Sequence, residues 1–582
     1  MTEQAAKDNL TAIARRLEAQ FPDTNKDIGV ATISALSLAT RDEHRPVVAL
    51  IVGAGFVLLI ACTNVSGLML ARALAHKRQT SIQIALGATR RRVIAETFLE
   101  GIMLALLGGG FGLFFAWICN RLVPLSSSSA IVHMHDVQIS WRAFVFAAAI
   151  STLIGALLAS VPAFQMRKID LSGSLKEAGA GPGGTGGRTV RALRSTIVMA
   201  EVMLASILLI SSGLLIASFI RLQNVQLGFD PHNILTFQIA LPEDKYPTAA
   251  QQGAFFDRLR EQLRRVKGVE SVATSGKSPY GDHNLRLEFS VSGRTETAGQ
   301  KQLADAQPVS PDYFTTMRIP IVRGQPFDDT QIEGTPRVAI IDEALAKAYW
   351  ADGDPIGQQL EDIGAKGTGR VTIVGVVPTV RHHNLAASSD LVQIYFPERQ
   401  DPSPISAVLV RTSGEPLGMA ETCRKVVLSV DPDQPIFNVH TMEQLLESTL
   451  LPRKLMALVA CAFAVLALFL SAVGIYSTLA YSIAQRTREI GVRIALGASH
   501  EDVSRLLLKE GMSLVLAGTA LGTLATFGLA RITSSQVYGI QLSEPFAFAA
   551  GIGLLITAAL FACKISARKL LGIDPIRALR YE

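Results

Sequence analysis

Two stretches of this chain come close to a phosphate-binding loop. Such a loop needs GxxxxGK[ST], because its backbone N–H groups cradle phosphate oxygens and its lysine neutralises them. In "GPGGTGGRT" (181–189), Gly181 and Gly186 have the spacing, but Gly187 stands in the lysine position. In "SVATSGKS" (271–278), Gly276, Lys277 and Ser278 are in place, but Ser271 replaces the first glycine. Neither is a nucleotide site, so the chain has no route to ATP hydrolysis through this motif. His133, His135 and Asp136 in "HMHD" offer metal ligands at i and i+2, which share a strand face. No further ligand is in view, so the run reads as a solvated loop, and His382–His383 reads as a surface turn. There is no GxSxG and no evident nucleophile–base pair. The five cysteines include no CxxC, which argues against a zinc ribbon or a disulfide framework and for small buried hydrophobes. The chain is expected not to be an enzyme and to bind no cofactor or metal itself.

A more specific pattern is the pentapeptide IALGA, at 84–88 and again 410 positions later at 494–498. In "QRTREIGVRIALGAS", Arg488, Glu489 and Arg493 interleave with Ile490, Val492, Ile494 and Leu496. A helix with this pattern turns its apolar side to the membrane spans and its charges to a partner. Gly491, Gly497 and Ala498 are small enough for close backbone approach or a helix end. Plain anchoring by positive charge would need neither Glu489 nor these glycines. The first copy keeps Arg78, Gly87 and Ala88, but Gln79 stands for Glu489, Ser81 for Gly491 and Gln83 for Arg493. It reads as a degenerate copy with a weaker partner surface.

Three carboxylates, Glu100, Glu201 and Glu510, lie one or two turns inside apolar runs. An intramembrane carboxylate is a functional candidate by default. At this depth snorkelling or pairing with a nearby Arg is cheap, so a structural role is the expectation. Asn64 and Ser471 are expected to be interhelical contacts.

These residues need a membrane to position them. Apolar residues make up 49% of the 582 and charged residues 18%, with a mean hydropathy of +0.32. The net charge of +6 is small for this length and does not suggest nucleic acid. Crossing the hydrocarbon takes roughly 20 apolar residues, and seven runs qualify: 47–71, 98–122, 143–164, 195–220, 455–482, 511–530 and 546–562. The loops 72–92, 167–194 and 485–509 and the tail after Cys563 are rich in Lys and Arg, whereas 124–140 and 533–545 carry none. Positive loops stay inside. The C-terminus is therefore expected in the cytoplasm and the long polar stretch 221–453 outside. Met1 then also falls outside with no span before it, which suggests a truncated or misassigned start.

Shifting by 410 aligns more than IALGA: Arg78 meets Arg488, Glu100 meets Glu510, Gly108 meets Gly518 and Gly112 meets Gly522. This is a duplicated three-span module in parallel orientation. The expected organisation is a remnant of a first external domain (1–45), a first three-span module (46–178), a Gly-rich cytoplasmic linker (179–194), a span (195–221), an external domain (222–453) and a second three-span module (454–582). Strand-like "NILTFQIAL" and "RVTIVGVV" alternate with helix-like "AAQQGAFFDRLREQLRRV" and "PLGMAETCRKVVLSV", predicting an external α+β domain of split βαβ units.

The wording of several long stretches resembles a known family. They include "LRSTIVMAEVMLASILLISSGLLIASFIRL", "VSPDYFTTMRIPIVRGQPF", "TIVGVVPTVRH", "DPDQPIFNVHTMEQLL" and "AVGIYSTLAYSIAQRTREIGVRIALGAS". Together they are similar to MacB/FtsX-type ABC transporter permeases, above all to the duplicated orphan permeases described from acidobacteria. The resemblance implies an α-helical polytopic protein of the bacterial inner membrane with one α+β periplasmic MacB-like core domain. It implies ATP use only through a cytoplasmic ABC ATPase on another chain, and motion passed outward for export or efflux. It makes Arg488, Glu489, Gly491, Arg493, Ala495, Gly497 and Ala498 the ATPase-coupling segment, with Arg78, Gln79, Gly87 and Ala88 its degenerate copy. A periplasmic adaptor or enzyme and a second copy of the chain are further partners left open. The alternative is a non-transporting signalling or scaffold protein that regulates a periplasmic partner.

Overall fold

The computed structural model describes residues 3–25, 29–30, 32, 44–75, 89–126, 140–167, 185–277, 280, 286–292, 302–351, 353–363, 369–381, 392–403, 405–485, 492–493, 496, 499–533 and 545–568. They fall into two compact units, one of Met1–Leu215, Met456–Arg531 and Leu542–Glu582, the other of Ile216–Leu455 with Ile532–Gln541.

In the first unit, α1 (Glu3–Gln20) and α2 (Pro22–Asn25) precede α3 (His44–Ala75), α4 (Arg90–Ser126), α5 (Trp141–Arg167) and α6 (Thr185–Gln223). Among the described residues seven helices are long and apolar enough to cross a membrane, and each expected span falls inside one of them. The helices overrun the apolar runs, because a helix satisfies its own backbone whether or not lipid surrounds it. Thus α6 starts at Thr185 and takes in the last ten residues of the stretch expected to be a flexible linker.

The second unit holds eleven paired strands in one connected sheet. Its first part is β1 (Ile234–Ala240), α7 (Ala249–Arg264) and β2 (Val269–Ser275). Then come β3 (Arg286–Val291), β4 (Gln302–Val309), α8 (Tyr313–Met317), β5 (Arg323–Gly324), β6 (Val338–Asp342), α9 (Glu343–Tyr349), β7 (Gln359–Ile363), β8 (Gly369–Val377) and β9 (Val392–Pro397). The chain returns through β10 (Ile405–Thr412), α10 (Ala420–Val430) and β11 (Phe437–Thr441). The order β11–β1–β10–β2 places β10 between β1 and β2 and β1 between β10 and β11. That is the expected split βαβ pair, β1–α7–β2 interleaved with β10–α10–β11. The strands between β2 and β10 form a second substructure that the sequence did not suggest. β4, β3, β7, β8, β6 and β9 pair in turn, and β9 pairs back to β4, so six strands close a ring and leave no free edge.

Helical spacing explains the first core. Phe255, Phe256, Leu259 and Leu263 line one face of α7 and pack with Cys423 and Val427 of α10 over Phe237, Val272, Val408 and Val410 of the sheet. Each such side chain contributes about 1.5–3 kcal/mol by leaving water. Thr248 and Gln251 close a reciprocal cap on the start of α7. Inside the ring, Phe289, Ala306, Ile341, Val371, Ile373 and Phe396 form a separate core.

The last spans are α11 (Met442–Gln485), α12 (His500–Thr533) and α13 (Pro545–Arg568). α11 starts well before its apolar run, because Thr441 and Gln444 cap it reciprocally at 3.1 and 3.0 Å. Residues 442–453, expected in the external domain, are therefore helix. The cysteines divide: Cys423 and Cys563 are buried as expected, but Cys119 and Cys461 sit exposed on apolar helices where lipid is the solvent.

The repeat is visible in how helices touch. Adding 410 turns Gly53 into Phe463 and Asn64 into Gly474. A Cβ on Gly53 would lie 3.0 Å from the Phe463 ring, and a Cβ on Gly474 2.8 Å from Asn64 Oδ1. Equivalent positions of α3 and α11 thus meet each other at two levels, as they must when parallel helices pair across a local twofold axis.

The symmetry stops at α12. A Cβ on Gly518 would lie 2.8 Å from Met199 O, and one on Gly522 2.6 Å from Met203 O, so α12 meets α6 almost backbone to backbone. This is the close approach that small residues four apart permit between membrane helices. The copies Gly108 and Gly112 have nothing within 4 Å.

Two predictions follow from this packing. Gly518→Leu or Gly522→Leu should cost about 1–3 kcal/mol by overpacking and lower the unfolding temperature in detergent, while Gly108→Leu and Gly112→Leu should leave it unchanged. Equal losses in both copies would contradict the asymmetry. The second prediction concerns Asp342, which caps α9 by accepting from the Leu345 N–H at 2.9 Å. Burial pushes its carboxyl from 3.8 up to about 6, against the pull of that N–H. The folded state therefore holds the proton more tightly, so this contribution is fully present below about pH 4 and is lost as pH rises through about 6. Asp342→Asn keeps a capping oxygen and removes the titration. Hydrogen exchange of β6 in the full chain should show stability falling between these pH values in the native protein and flat in the variant.

Candidate functional site

Of the expected coupling segment, Arg493 lies among the described residues. Arg488, Glu489, Gly491, Ala495, Gly497 and Ala498, and in the first copy Arg78, Gln79, Gly87 and Ala88, lie outside them. Arg493 is exposed beside Val492. The Leu496 N–H donates to Val492 O at 2.9 Å, so these residues make one helical turn. The pattern predicts Val492 and Leu496 against the spans, but the structure exposes them, Leu496 to 83%. The described part of the chain does not cover this stripe, which leaves it to lipid or a partner. Directly after it Ser499 caps α12: its hydroxyl accepts from the Asp502 N–H at 3.2 Å and donates to the Asp502 carboxylate at 2.6 Å. That bond holds Asp502 below the usual carboxylate range. Ser499-x-x-Asp502 was legible as a cap, and at the matching positions the first copy has Thr89 and Arg92.

The three carboxylates have different surroundings. Glu100 of α4 pairs with Arg72 of α3, and both side chains are largely exposed. Glu510 is exposed on α12. Glu201 of α6 is only 2% exposed. Thr63 of α3 lies beside it, its hydroxyl donating to Ile60 O at 2.7 Å, and Glu201 Oε2 has no hydrogen-bond partner. A Cβ on Gly474 of α11 would overlap that oxygen, so only glycine fits against it. Asn64 Nδ2 donates to Leu470 O at 2.8 Å, the interhelical contact expected of it. Ser471 makes no such bond, and its Oγ is buried and unpartnered. The helix crossing around Glu201 encloses a carboxyl group between three spanning helices. The sequence showed its carboxylate but not its partners, which come from helices far apart in the chain.

The second unit has buried charges that the sequence did not single out. Lys277 and Asp305 form an ion pair with about 5% and 4% of their side chains exposed. Burial lowers Lys277, with Asp305 pulling the other way. Residues 271–275 are strand, and Lys277 just beyond them is committed to Asp305, so it is not free to neutralise a phosphate. Arg260 Nη1 reaches Thr274 Oγ1 at 2.7 Å and Glu398 at 2.9 Å. Burial pushes Glu398 up while Arg260 opposes it. Each charge is matched inside the fold, which is the pattern of a structural network. Among the described residues no group of three metal-ligating side chains occurs. His133, His135, Asp136, His382 and His383 lie outside them.

Comparison with known proteins finds two families in the chain. The FtsX-like permease C-terminal family matches residues 51–171 and 461–575, the two copies of the repeat. The MacB-like periplasmic core domain matches 195–431. The macrolide export ATP-binding/permease protein MacB of Acinetobacter baylyi is 27% identical over 288 residues, 47% of this chain and 42% of its own. That of Vibrio parahaemolyticus is 28% identical over 326 residues, 54% of this chain and 47% of its own. The chain thus spans about half the length of these curated relatives. The solved periplasmic region of MacB from Actinobacillus actinomycetemcomitans aligns at 14% identity over 37% of this chain and 92% of its own, with a TM-score of 0.26, and adds nothing beyond the family matches. Seven apolar helices with a MacB-like periplasmic core describe an inner-membrane protein with a periplasmic domain. Two FtsX-like modules on either side of a MacB-like core make this chain a member of the MacB/FtsX-type ABC transporter permeases.

Proposed function

We propose that the chain is the permease subunit of an ABC-type export or efflux system. A separate cytoplasmic ATPase binds it, and ATP-driven movement passes through the spanning helices to the periplasmic domain. The observation that carries this reading is the arrangement of the family matches, two FtsX-like modules flanking one periplasmic core. The relatives' names join ATP binding and permease in one protein, whereas this chain contains no phosphate loop of its own. Lys277, the one lysine set in a near match, is buried against Asp305. Hydrolysis is therefore assigned to a second chain. α6 and α11 are the helices that lead in sequence into and out of the sheet unit, through β1 and from β11. They are the shortest covalent route for movement from the membrane to that domain. The basic loops put the C-terminus and both IALGA turns on the cytoplasmic side.

We assign docking of the ATPase to the second turn, Arg488 to Ala498, and a lesser role to the first. Exposed Arg493 beside exposed Val492 and Leu496 supports this, because charge next to an uncovered apolar stripe is the composition of an interface core and its rim. With a MacB-type ATPase co-expressed, the double substitution Arg488→Glu, Glu489→Arg should reduce complex formation and substrate-stimulated ATPase activity about tenfold, the equivalent of about 1.4 kcal/mol. Arg78→Glu with Gln79→Arg should do less. Unchanged recruitment in the first variant removes the coupling assignment. Recruitment with no transport in vesicles, but altered activity of a periplasmic enzyme, favours the signalling reading instead.

A further inference from the structure

The crossing of α3, α6 and α11 holds a carboxyl group in a setting made for its neutral form. Glu201 has no cation against it among the described residues, and the hydroxyl of its neighbour Thr63 donates to Ile60 O at 2.7 Å. Its second oxygen, Oε2, is fully enclosed and unpartnered. That oxygen and Asn64 Oδ1 both face the bare Cα of Gly474, since a Cβ there would overlap Oε2 and lie 2.8 Å from Oδ1. Which end of the Asn64 amide faces Glu201 is decided by chemistry. The other end lies 2.8 Å from Leu470 O, an acceptor, so it must be the NH₂. The end turned toward Glu201 is therefore an acceptor as well. Two acceptors facing each other in an enclosed space repel unless a proton lies between them.

We propose that Glu201, Asn64 and Thr63, closed over Gly474, form an intramembrane site that binds one proton. With the proton on Oε2, the carboxyl donates to Asn64 Oδ1, and no buried charge remains. Without it, an unpaired carboxylate lies between apolar helices, a state that costs several kcal/mol. A metal ion fits less well, because hard cations gather on the order of six oxygens and only Glu201 and Asn64 are seen to converge on Gly474. The groups around Glu201 carry no competing charge. α3 supplies Thr63 and Asn64, and α11 supplies Gly474 with Ser471 one turn before it. α12 meets α6 through Gly518 at Val202, and α13 meets it through Gly551 at Ile210. The thiol and phenol side chains in this part of the bundle are Cys62 of α3, Tyr476 of α11 and Cys563 of α13.

The proton is bound in the packed crossing and has no equivalent site when the helices part. It therefore stabilises the closed crossing at low pH, and that stabilisation is lost as pH rises through the titration of the site. Because α6 and α11 flank the sheet unit in sequence, the site joins the two helices that lead to it. The inference does not depend on an ATPase partner and survives if the coupling assignment fails.

Dicyclohexylcarbodiimide, which attacks protonated carboxyl groups in apolar surroundings, tests it on the full chain in detergent or vesicles. Mass analysis should find the adduct on Glu201, strong near about pH 6 and fading by about pH 9, and absent in Glu201→Gln. Asn64→Ala removes the acceptor of the protonated form but leaves the carboxyl, so it should lower labelling near pH 7 by about tenfold, roughly one pH unit. Labelling at Glu201 that ignores pH, that excess sodium chloride blocks at constant pH, or that Asn64→Ala leaves unchanged overturns the proposal. The pH profile of the unsubstituted chain decides the matter even if either variant fails to fold.

Discussion

The membrane unit depends on how closely α6 can be approached. Gly518 and Gly522 bring α12 to the carbonyls of Met199 and Met203, and Gly474 brings α11 against Glu201. In lipid there is no hydrophobic gain from pressing two apolar helices together, so dispersion and backbone contact must hold them. Those terms fall off within fractions of an ångström. Side chains at these positions would separate the helices, and the buried cluster of Ile60, Val202, Ala467, Val515 and Leu555 would open with them.

Duplication gave the chain two copies of this device, and the structure uses them differently. α3 and α11 keep the symmetry of their origin and meet at equivalent positions. α4 and α12 do not: Gly518 and Gly522 of α12 hold α6, and their counterparts Gly108 and Gly112 of α4 have nothing within 4 Å. The IALGA turns diverge in the same direction. The second copy has Glu489, Arg493 and a Ser499–Asp502 cap, where the first has Gln79, Gln83 and Thr89 with Arg92. Both differences leave the second module, the one joined to the sheet unit through α11, with the more complete set of interactions.

The periplasmic core follows another logic. Its split βαβ half was legible because amphipathic spacing in α7 and α10 and the apolar, β-favouring runs of β1 and β10 are local patterns. The closed ring was not. It depends on β4 lying parallel to β9, with Ala304 opposite Val392 and Val309 opposite Pro397, and strands so far apart in sequence leave no local mark of their pairing. The buried pairs Lys277–Asp305 and Arg260–Glu398 were hidden for the same reason. As sequence, Gly276–Lys277–Ser278 looked like part of a nucleotide loop. As structure, its lysine neutralises a carboxylate inside a sheet.

What the sequence determined by itself was set by the surrounding solvent and by local chain geometry: seven spans, the parallel repeat and the lack of a phosphate loop. Hydrocarbon demands about twenty apolar residues wherever a helix crosses it, so that requirement is written along the chain. Tertiary structure decided which of three similar carboxylates is confined. Glu100, Glu201 and Glu510 sit at comparable depth in comparable runs, yet Glu100 meets Arg72, Glu510 stays exposed, and Glu201 alone is enclosed. The difference lies in Thr63, Asn64 and Gly474, which other helices bring to it. A residue's own helix sets the face it occupies, but burial is conferred by the neighbours that cover that face.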